Sequence, residues 1–464
     1  MFTVDQIAAC TGGEIIGDNE LEVMAVSTDS RTVQPGDLFV PLAGDRFDGH
    51  CFLFSITDKM VSTALASKQW CAEFNPPDGL TIIAVPDTLK GLGDLAHEFR
   101  SRYDIPLVGI TGSNGKTTTK EMLASILGQL GNGLKTAGNL NNLIGLPQML
   151  FKLQGEHQWA ILEMGMSEPG EIDRLAEIAE PQVGVVLNAF PAHLESMGSV
   201  EQVARAKGEL LLRLPADGYG VVNLDDPLIA AQPFPDGVRR LTFGVTEAAD
   251  LRGTEIRSLG TAGQRFTLTI HGIAYNATLA AFGRHNIYNA LAAAAAATAL
   301  GIPPELIVSG LALFTPYDKR FNLQTIGGIF LIDDTYNANP ASTGAALATL
   351  AELKGEAETF VALGDMLELG GNEAELHRMT GVQAARVADR LYLYGNLSRH
   401  IAEGAISAGM EHDSVMSGYS HAEIAAHICA AARQGDFVLL KGSRGMKMEN
   451  VAAEIKKIMQ NKEV

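Results

Sequence analysis

The stretch IPLVGITGSNGKTTTKEMLASILGQL, Ile105 to Leu130, constrains the fold most. An apolar run ends in a glycine-rich turn, and good helix formers follow without a break. That order predicts a buried strand, a loop, and a helix whose N-terminus points back across the strand end, the opening unit of a parallel α/β domain. The spacing departs from the common phosphate-loop pattern G-x-x-x-x-G-K-[ST]. Counting back from Gly115-Lys116-Thr117, its first glycine falls on Ile110, while the glycines stand at Gly109 and Gly112. Gly112, Ser113, Asn114 and Gly115 expose successive backbone N–H groups to an anion, and the helix start at Lys116, Thr117 and Thr118 adds its dipole. Lys116 supplies a point charge, and the Thr117 hydroxyl suits Mg2+. The loop alone says that ATP or GTP phosphates are held.

Further strands are predicted at QWAILEMG (158–165) and QVGVVLNAF (182–190), with helical stretches between. Residues 215–282 turn β-rich and glycine-broken, and read as an excursion from the α/β unit. The apolar run from Ala290 to Ile302 is too short to span a bilayer and predicts a buried, tightly packed helix. GGIFLIDDTY, ETFVALGDM, RLYLYGN and DFVLLKGS then repeat the strand–helix rhythm. The expected architecture is α/β in three domains: 1–85 a small substrate-binding domain, 86–313 a central P-loop parallel-sheet ATPase domain, and 314–464 a C-terminal Rossmann-like domain.

Charge narrows the partners. With 35 basic and 54 acidic residues the net charge is −19, which disfavours nucleic acid, while local cations can still bind small anions. Four cysteines without a C-x-x-C pair argue against a disulfide framework or a zinc knuckle, and fit a reducing compartment. The N-terminus has no basic and apolar leader, so a cytoplasmic protein without membrane insertion is expected.

Several positions invite chemistry. Glu163 ends a predicted strand, where ligand sites of open parallel sheets lie; it is either a Mg2+ ligand or a solvent-facing loop acid. His193 follows the next strand at the same edge. Lys207, in a helical stretch, reads on spacing alone as a surface lysine. Asn139 sits in the asparagine-rich loop GNLNNLIGLP, which makes turns or holds a polar ligand. Asn286 and Asn289 share a helix-start face and suggest an N-cap or a ligand contact. Asp334 ends a strand in LIDDTYNANP, fit for a ribose hydroxyl or for capping a loop. Lys441, Ser443 and Arg444 follow another strand and suit a carboxylate.

TGSNGKTTTKEM with GNLNNLIGLP resembles the Mur ligases, ATP-dependent amide-forming enzymes of peptidoglycan precursor synthesis. The displaced glycine matches that superfamily's T-G-[ST]-x-G-K-[ST] loop. STDSRTVQPGDLFVPLAGDRFDGHCF, DDTYNANP, LGDMLELG and KGSRGMKME are similar to the branch that joins D-alanyl-D-alanine to UDP-N-acetylmuramoyl-tripeptide. The resemblance covers residues 27 to 450. It implies that Lys116 and Thr117 bind ATP phosphates and Mg2+, and that Glu163 and His193 serve metal sites. It implies that Lys207 is a carbamylated lysine donating oxygen to metal, which reverses the surface reading. It also implies that Asn139, Asn286, Arg320 and Asp334 contact the nucleotide. Ser30, Arg31, Gly49 and His50 would hold the UDP-sugar, and Asn337, Lys441, Ser443 and Arg444 would lie near the dipeptide. NAFPAHLE departs from the family's usual Ile-Gly before Ala-His. The alternative within the class is another ligase of the superfamily, adding a single amino acid or glutamate to folate. A GTPase switch is disfavoured: the sole Asn-Lys pair, Asn461-Lys462, is not followed by x-Asp. The chain is expected to act as a monomer.

Overall fold

The structure, a computed structural model, describes residues 1–44, 47–191 and 197–462. Three larger β-sheets succeed one another along the chain. The first has five strands in the order Glu14–Ile16, Thr81–Val85, Thr63–Ser67, Asp37–Phe39 and Ala25–Ser27, parallel except for its first edge. The helix Thr88–Arg100 opens on an Asp87 cap that takes the N–H groups of Leu89 and Lys90. It buries Leu92, Leu95 and Phe99 in one core that runs from Ile7, Leu65 and Ile83 through to Leu107, Leu162 and Leu210. The first sheet is therefore welded to the second by continuous apolar packing.

The second sheet has nine strands in the order Gly133–Lys135, Trp159–Glu163, Leu107–Thr111, Val183–Val186, Tyr219–Asn223, Arg239–Gly244, Leu251–Ser258, Gln264–Ile270 and Ile273–Leu279. The first seven run parallel and the last two form antiparallel pairings. Residues 215–282 are thus no excursion: they extend the central sheet. Periodicity marks a strand but not the sheet it joins, because pairing is a non-local choice. From Leu107–Thr111 the chain crosses to the edge strand Gly133–Lys135, comes back to Trp159–Glu163 beside its start, and then continues on the other side with Val183–Val186. That reversal opens a crevice at the carboxyl end of this strand. Helix Arg284–Ala299 lies against helix Lys116–Leu127, with Ala290 to Ala297 fully buried. Alanine lets the two helices and the sheet approach closely, so the small side chains here serve packing density.

The third sheet has six strands in the order Asn322–Ile326, Ile329–Asp334, Phe437–Lys441, Thr359–Gly364, Arg390–Tyr394 and Val415–Ser417. Its first pairing is antiparallel and the rest parallel, with an apolar core on each face. The register sets Asp334 beside Lys441 at the carboxyl ends of adjacent strands. Among the described residues no helix is long and apolar enough to cross a membrane.

Candidate active site

Strand Leu107–Thr111 delivers the chain to Gly112, whose φ of 159° and neighbour Leu187 leave little room for a side chain. Gly115 is stricter. It has φ 91°, and an added Cβ would stand 2.3 Å from Asn289 Oδ1. The loop is also held from the next strand: Asn114 N donates to Asn188 Oδ1 at 2.9 Å, and Asn188 Nδ2 donates back to Asn114 O at 3.1 Å. Asn286 is not the helix cap; Gly283 takes that place. The Asn286 side chain donates to Phe282 O at 2.8 Å and accepts from Asn289 Nδ2 at 2.9 Å, so its first task is to brace the residue that packs on Gly115.

Lys116 and Thr117 open the helix. Lys116 Nζ donates to Gly112 O at 2.5 Å, curling the side chain over the loop. Its surroundings pull the ammonium down to about 8: desolvation dominates, Glu163 opposes it, and Arg320 adds to it. The Thr117 hydroxyl donates to Glu163 Oε2 at 3.2 Å and accepts from Arg320 Nη2 at 3.2 Å. Glu163 ends its strand as the register partner of Ile110 and is buried, so the solvent-facing alternative is excluded. Its Oε1 accepts no well-aligned hydrogen bond but faces the Lys120 ammonium at 3.1 Å.

Lys207 is 3% exposed and lines the same cavity, which corrects the surface reading. Helix Val200–Leu212 turns it inward with Val203, Ala204 and Leu211. Among the described residues no hydrogen bond or ion pair reaches its amine. Burial, and then the charge of Lys116, hold its pKa well below the ordinary lysine value. His193 lies outside the described residues.

The third sheet closes the cavity from the opposite side. The Arg320 guanidinium lies 3.8 Å from the Tyr336 ring centroid. Asp334 accepts from Phe321 N at 3.1 Å and from Lys441 Nζ at 2.6 Å, and Lys441 also donates to Asn337 O at 3.0 Å. The Ser443 hydroxyl donates to Ala338 O at 3.2 Å and accepts from Leu367 N at 2.9 Å. Arg444 pairs with Glu449 at 2.8 Å and keeps much of its guanidinium in solvent. Burial brings the His285 imidazole down to about 4, Asp334 opposing and Lys441 adding, so it is neutral at physiological pH.

One cavity of about 1380 Å3 gathers these groups. Gly112 to Thr118, Asn139, Glu163, Lys207, Asn286, Arg320, Asp334, Asn337, Lys441, Ser443 and Arg444 all line it. Ser30, Arg31, Gly49 and His50 do not. Arg31 is splayed in solvent and forks onto Asp29. Gly49 packs so tightly on Leu42 that an added Cβ would stand 2.8 Å from its backbone nitrogen. His50 is buried, with Nδ1 at 2.6 Å from Asp48 Oδ1 and Nε2 accepting from Ser67 N at 2.9 Å, so both ring nitrogens serve the fold. Sequence reasoning missed Lys120, Thr136, Asn188 and Tyr336; these asparagine, threonine, lysine and tyrosine positions carry no local signal that separates them from surface residues.

A strand–loop–helix phosphate cradle facing the carboxyl edge of a second α/β sheet defines a nucleotide-dependent ligase class. Residues 110–297 match the Mur ligase middle domain, and residues 319–444 match the glutamate ligase domain of the same enzymes. The chain belongs to the Mur ligase family of ATP-dependent C–N ligases. It is 36% identical, over 98% of each chain, to the UDP-N-acetylmuramoyl-tripeptide–D-alanyl-D-alanine ligase of Bacillus subtilis, and 36% identical, over 97% of each, to that of Escherichia coli. The crystal structure of MurF from Acinetobacter baumannii superposes with TM-score 0.86 at 32% identity, over 98% of this chain and 99% of that one. MurF ligase from Thermotoga maritima in complex with ADP gives 0.85 at 28% identity, over 95% and 99%.

Proposed function

We propose that the chain uses ATP to join D-alanyl-D-alanine to the C-terminal carboxylate of UDP-N-acetylmuramoyl-tripeptide. The observation that carries this reading is the convergence of Lys116, Thr117, Glu163 and Arg320 in one cavity, in a chain aligned end to end with ligases of that name. A carboxylate does not acylate an amine, because its leaving group would be oxide. Transfer of the ATP γ-phosphoryl group to that carboxylate releases ADP and gives an acyl phosphate. The amine of D-alanyl-D-alanine then attacks the acyl carbon. It loses a proton, and the tetrahedral adduct collapses with phosphate as leaving group.

The residues divide this work. Backbone N–H groups from Gly112 to Thr117 hold the phosphates, and Lys116 and Arg320 offset the repulsion between phosphoryl and carboxylate oxygens. Asn139, Asn286 and Asp334 are assigned to the nucleotide and Arg444 to the dipeptide carboxylate. Lys441 and Ser443 set the loop that carries Arg444. The third sheet covers the cavity and keeps water from the acyl phosphate. Ser30, Arg31 and Gly49 remain assigned to the UDP-sugar, and His50 shapes their loop.

The donors suit Mg2+. Among the described residues no group of three His, Cys, Asp or Glu side chains could hold a metal by itself, and Mg2+ commonly takes one or two protein oxygens, with phosphate and water completing its shell. Thr117 and Glu163 would hold it, with His193 and Lys207 serving a second position. When bound, it supplies charge neutralisation at the phosphates. A lysine whose pKa is lowered by burial gives up its proton more readily, and the free amine adds to CO2 with release of a proton; the carbamate so formed would give Lys207 oxygen donors. We assign 1–85 to the sugar substrate, 86–313 to a P-loop ATPase domain and 314–464 to a Rossmann-like domain, acting as a cytoplasmic monomer.

Phosphate release is the test, offering D-alanyl-D-alanine against single amino acids with the UDP-tripeptide. Release with a single amino acid alone would return the chain to the amino-acid-adding or folylpolyglutamate-type ligases, and equal release without the dipeptide would overturn the dipeptide assignment.

A further inference from the structure

Lys120 is 1% exposed, an unusual setting for a lysine ammonium. It stands one helical turn after Lys116, on the face turned toward the sheet. Its ammonium donates a hydrogen bond to Thr136 O at 2.7 Å and forms ion pairs with Glu121 Oε1 and Glu163 Oε1, each at 3.1 Å. The ring of Tyr317, three residues before Arg320, lies 5.6 Å from the same nitrogen. Glu121 is held in turn by Lys135. Thr136 also accepts, through its hydroxyl, from Glu163 N at 2.8 Å.

Glu163 is consequently gripped from three directions. Its backbone is tied to Thr136, Oε1 faces Lys120, and Oε2 faces the Thr117 hydroxyl at the cavity wall. An apolar pair of similar volume would hold helix to strand at least as well, since desolvating two charges offsets much of their attraction. What an apolar pair cannot do is select one orientation of a carboxylate.

We propose that Lys120 is a positioning residue for Glu163: it fixes the carboxylate so that Oε2 is presented beside Thr117 to the divalent cation that accompanies the nucleotide. This rests on the metal reading of Glu163 above. Lys120 itself does not line the cavity, so it is not placed to touch nucleotide or substrate.

The test is an electron paramagnetic resonance titration of Mn2+ onto the full chain with ADP present, alongside ADP binding in EDTA. Lys120→Met is expected to weaken Mn2+ binding about 10- to 100-fold while leaving metal-free ADP binding unchanged, and Lys120→Arg to recover part of the loss. Glu163→Gln is expected to weaken it comparably, and Lys120→Met/Glu163→Gln to be no weaker than Glu163→Gln. Wild-type Mn2+ affinity in Lys120→Met, with Glu163→Gln impaired, overturns the positioning role and leaves the metal reading standing. Wild-type affinity in Glu163→Gln overturns both. If Lys120→Met does not fold, the double variant against Glu163→Gln decides. Equal affinities support the role. A further loss of about 5-fold or more overturns it, since Lys120 would then act other than through Glu163.

Discussion

Asn339 Nδ2 donates to Asn114 Oδ1 at 2.8 Å, so the first helix of the third sheet is tied to the phosphate loop across 225 residues of sequence. The same side chain caps its own helix, Oδ1 accepting from Ser342 N at 2.8 Å. Oδ1 also accepts a longer bond from Asn114 Nδ2 at 3.4 Å, but the shorter tie uses Nδ2 alone, so the two tasks can be told apart. Asn339→Ala should lose the cap and about 1 kcal/mol of stability in urea unfolding. Asn339→Asp keeps the capping oxygen and should hold its stability, yet raise KM for ATP several-fold because the donor to Asn114 is gone. Equal loss of stability in both would show that the cap is not the stabilising element.

Lys116 carries a charge its surroundings disfavour. Its folded value of about 8 lies below the ordinary 10.5, so at pH 7 folding must retain a partly desolvated ammonium. Lys116→Met should therefore abolish ligation yet raise stability at pH 7 by roughly 1–2 kcal/mol, allowing for the solvent the side chain still meets. The unfolded chain binds more protons than the folded one between pH 8 and 10.5, so wild-type stability from this group rises with pH there. The advantage of the variant should shrink across the same window in thermal unfolding.

Lys207→Ala should lower turnover roughly 10²–10³-fold, the scale for removing a preorganised charge from a closed site. Short-chain carboxylic acids should restore part of it by supplying the missing oxygens. A carbonyl-region signal from 13C-bicarbonate should appear in the wild type and vanish in the variant. Full activity of Lys207→Ala would remove the carbamate from the mechanism.

Arg320 is aimed by Tyr336. Tyr336→Leu should raise KM for ATP by about 2- to 30-fold, the range of one guanidinium–ring contact. Arg320→Lys keeps a charge but loses the planar fork, and should cost more. The double variant should lose little beyond Arg320→Lys alone; additive losses in steady-state kinetics would mean that Tyr336 acts by another route.

His50 has no free ring nitrogen. His50→Phe should destabilise the chain by about 1–3 kcal/mol, through the unpaired Ser67 N–H and the lost Asp48 contact. Calorimetry would show this as a lower midpoint. A variant of wild-type stability with a raised KM for the UDP-tripeptide would reassign the imidazole to the substrate.

Much of the site was legible because its parts are local. A phosphate loop must be consecutive backbone, so Gly112 to Thr117 announce themselves in six residues. Strand ends are marked by apolar runs, which exposed Glu163 and Asp334 at sheet edges. Lys120 and Lys207 gave no such sign: a lysine in an amphipathic helix looks solvated until the packing partner of that face is known. The joining of residues 215–282 to the central sheet was hidden for the same reason, since a strand's composition does not name its neighbour.

The sequence by itself determined the kind of chemistry, because backbone geometry and residue type along a short stretch suffice to cradle a phosphate. Tertiary structure decided which charges meet. It set Asp334 against Lys441 by strand register, placed Arg320 on Thr117, and enclosed Lys120 and Lys207 away from water. Those pairings join residues up to 203 positions apart. Their strength depends on desolvation, which arises only when separate elements pack.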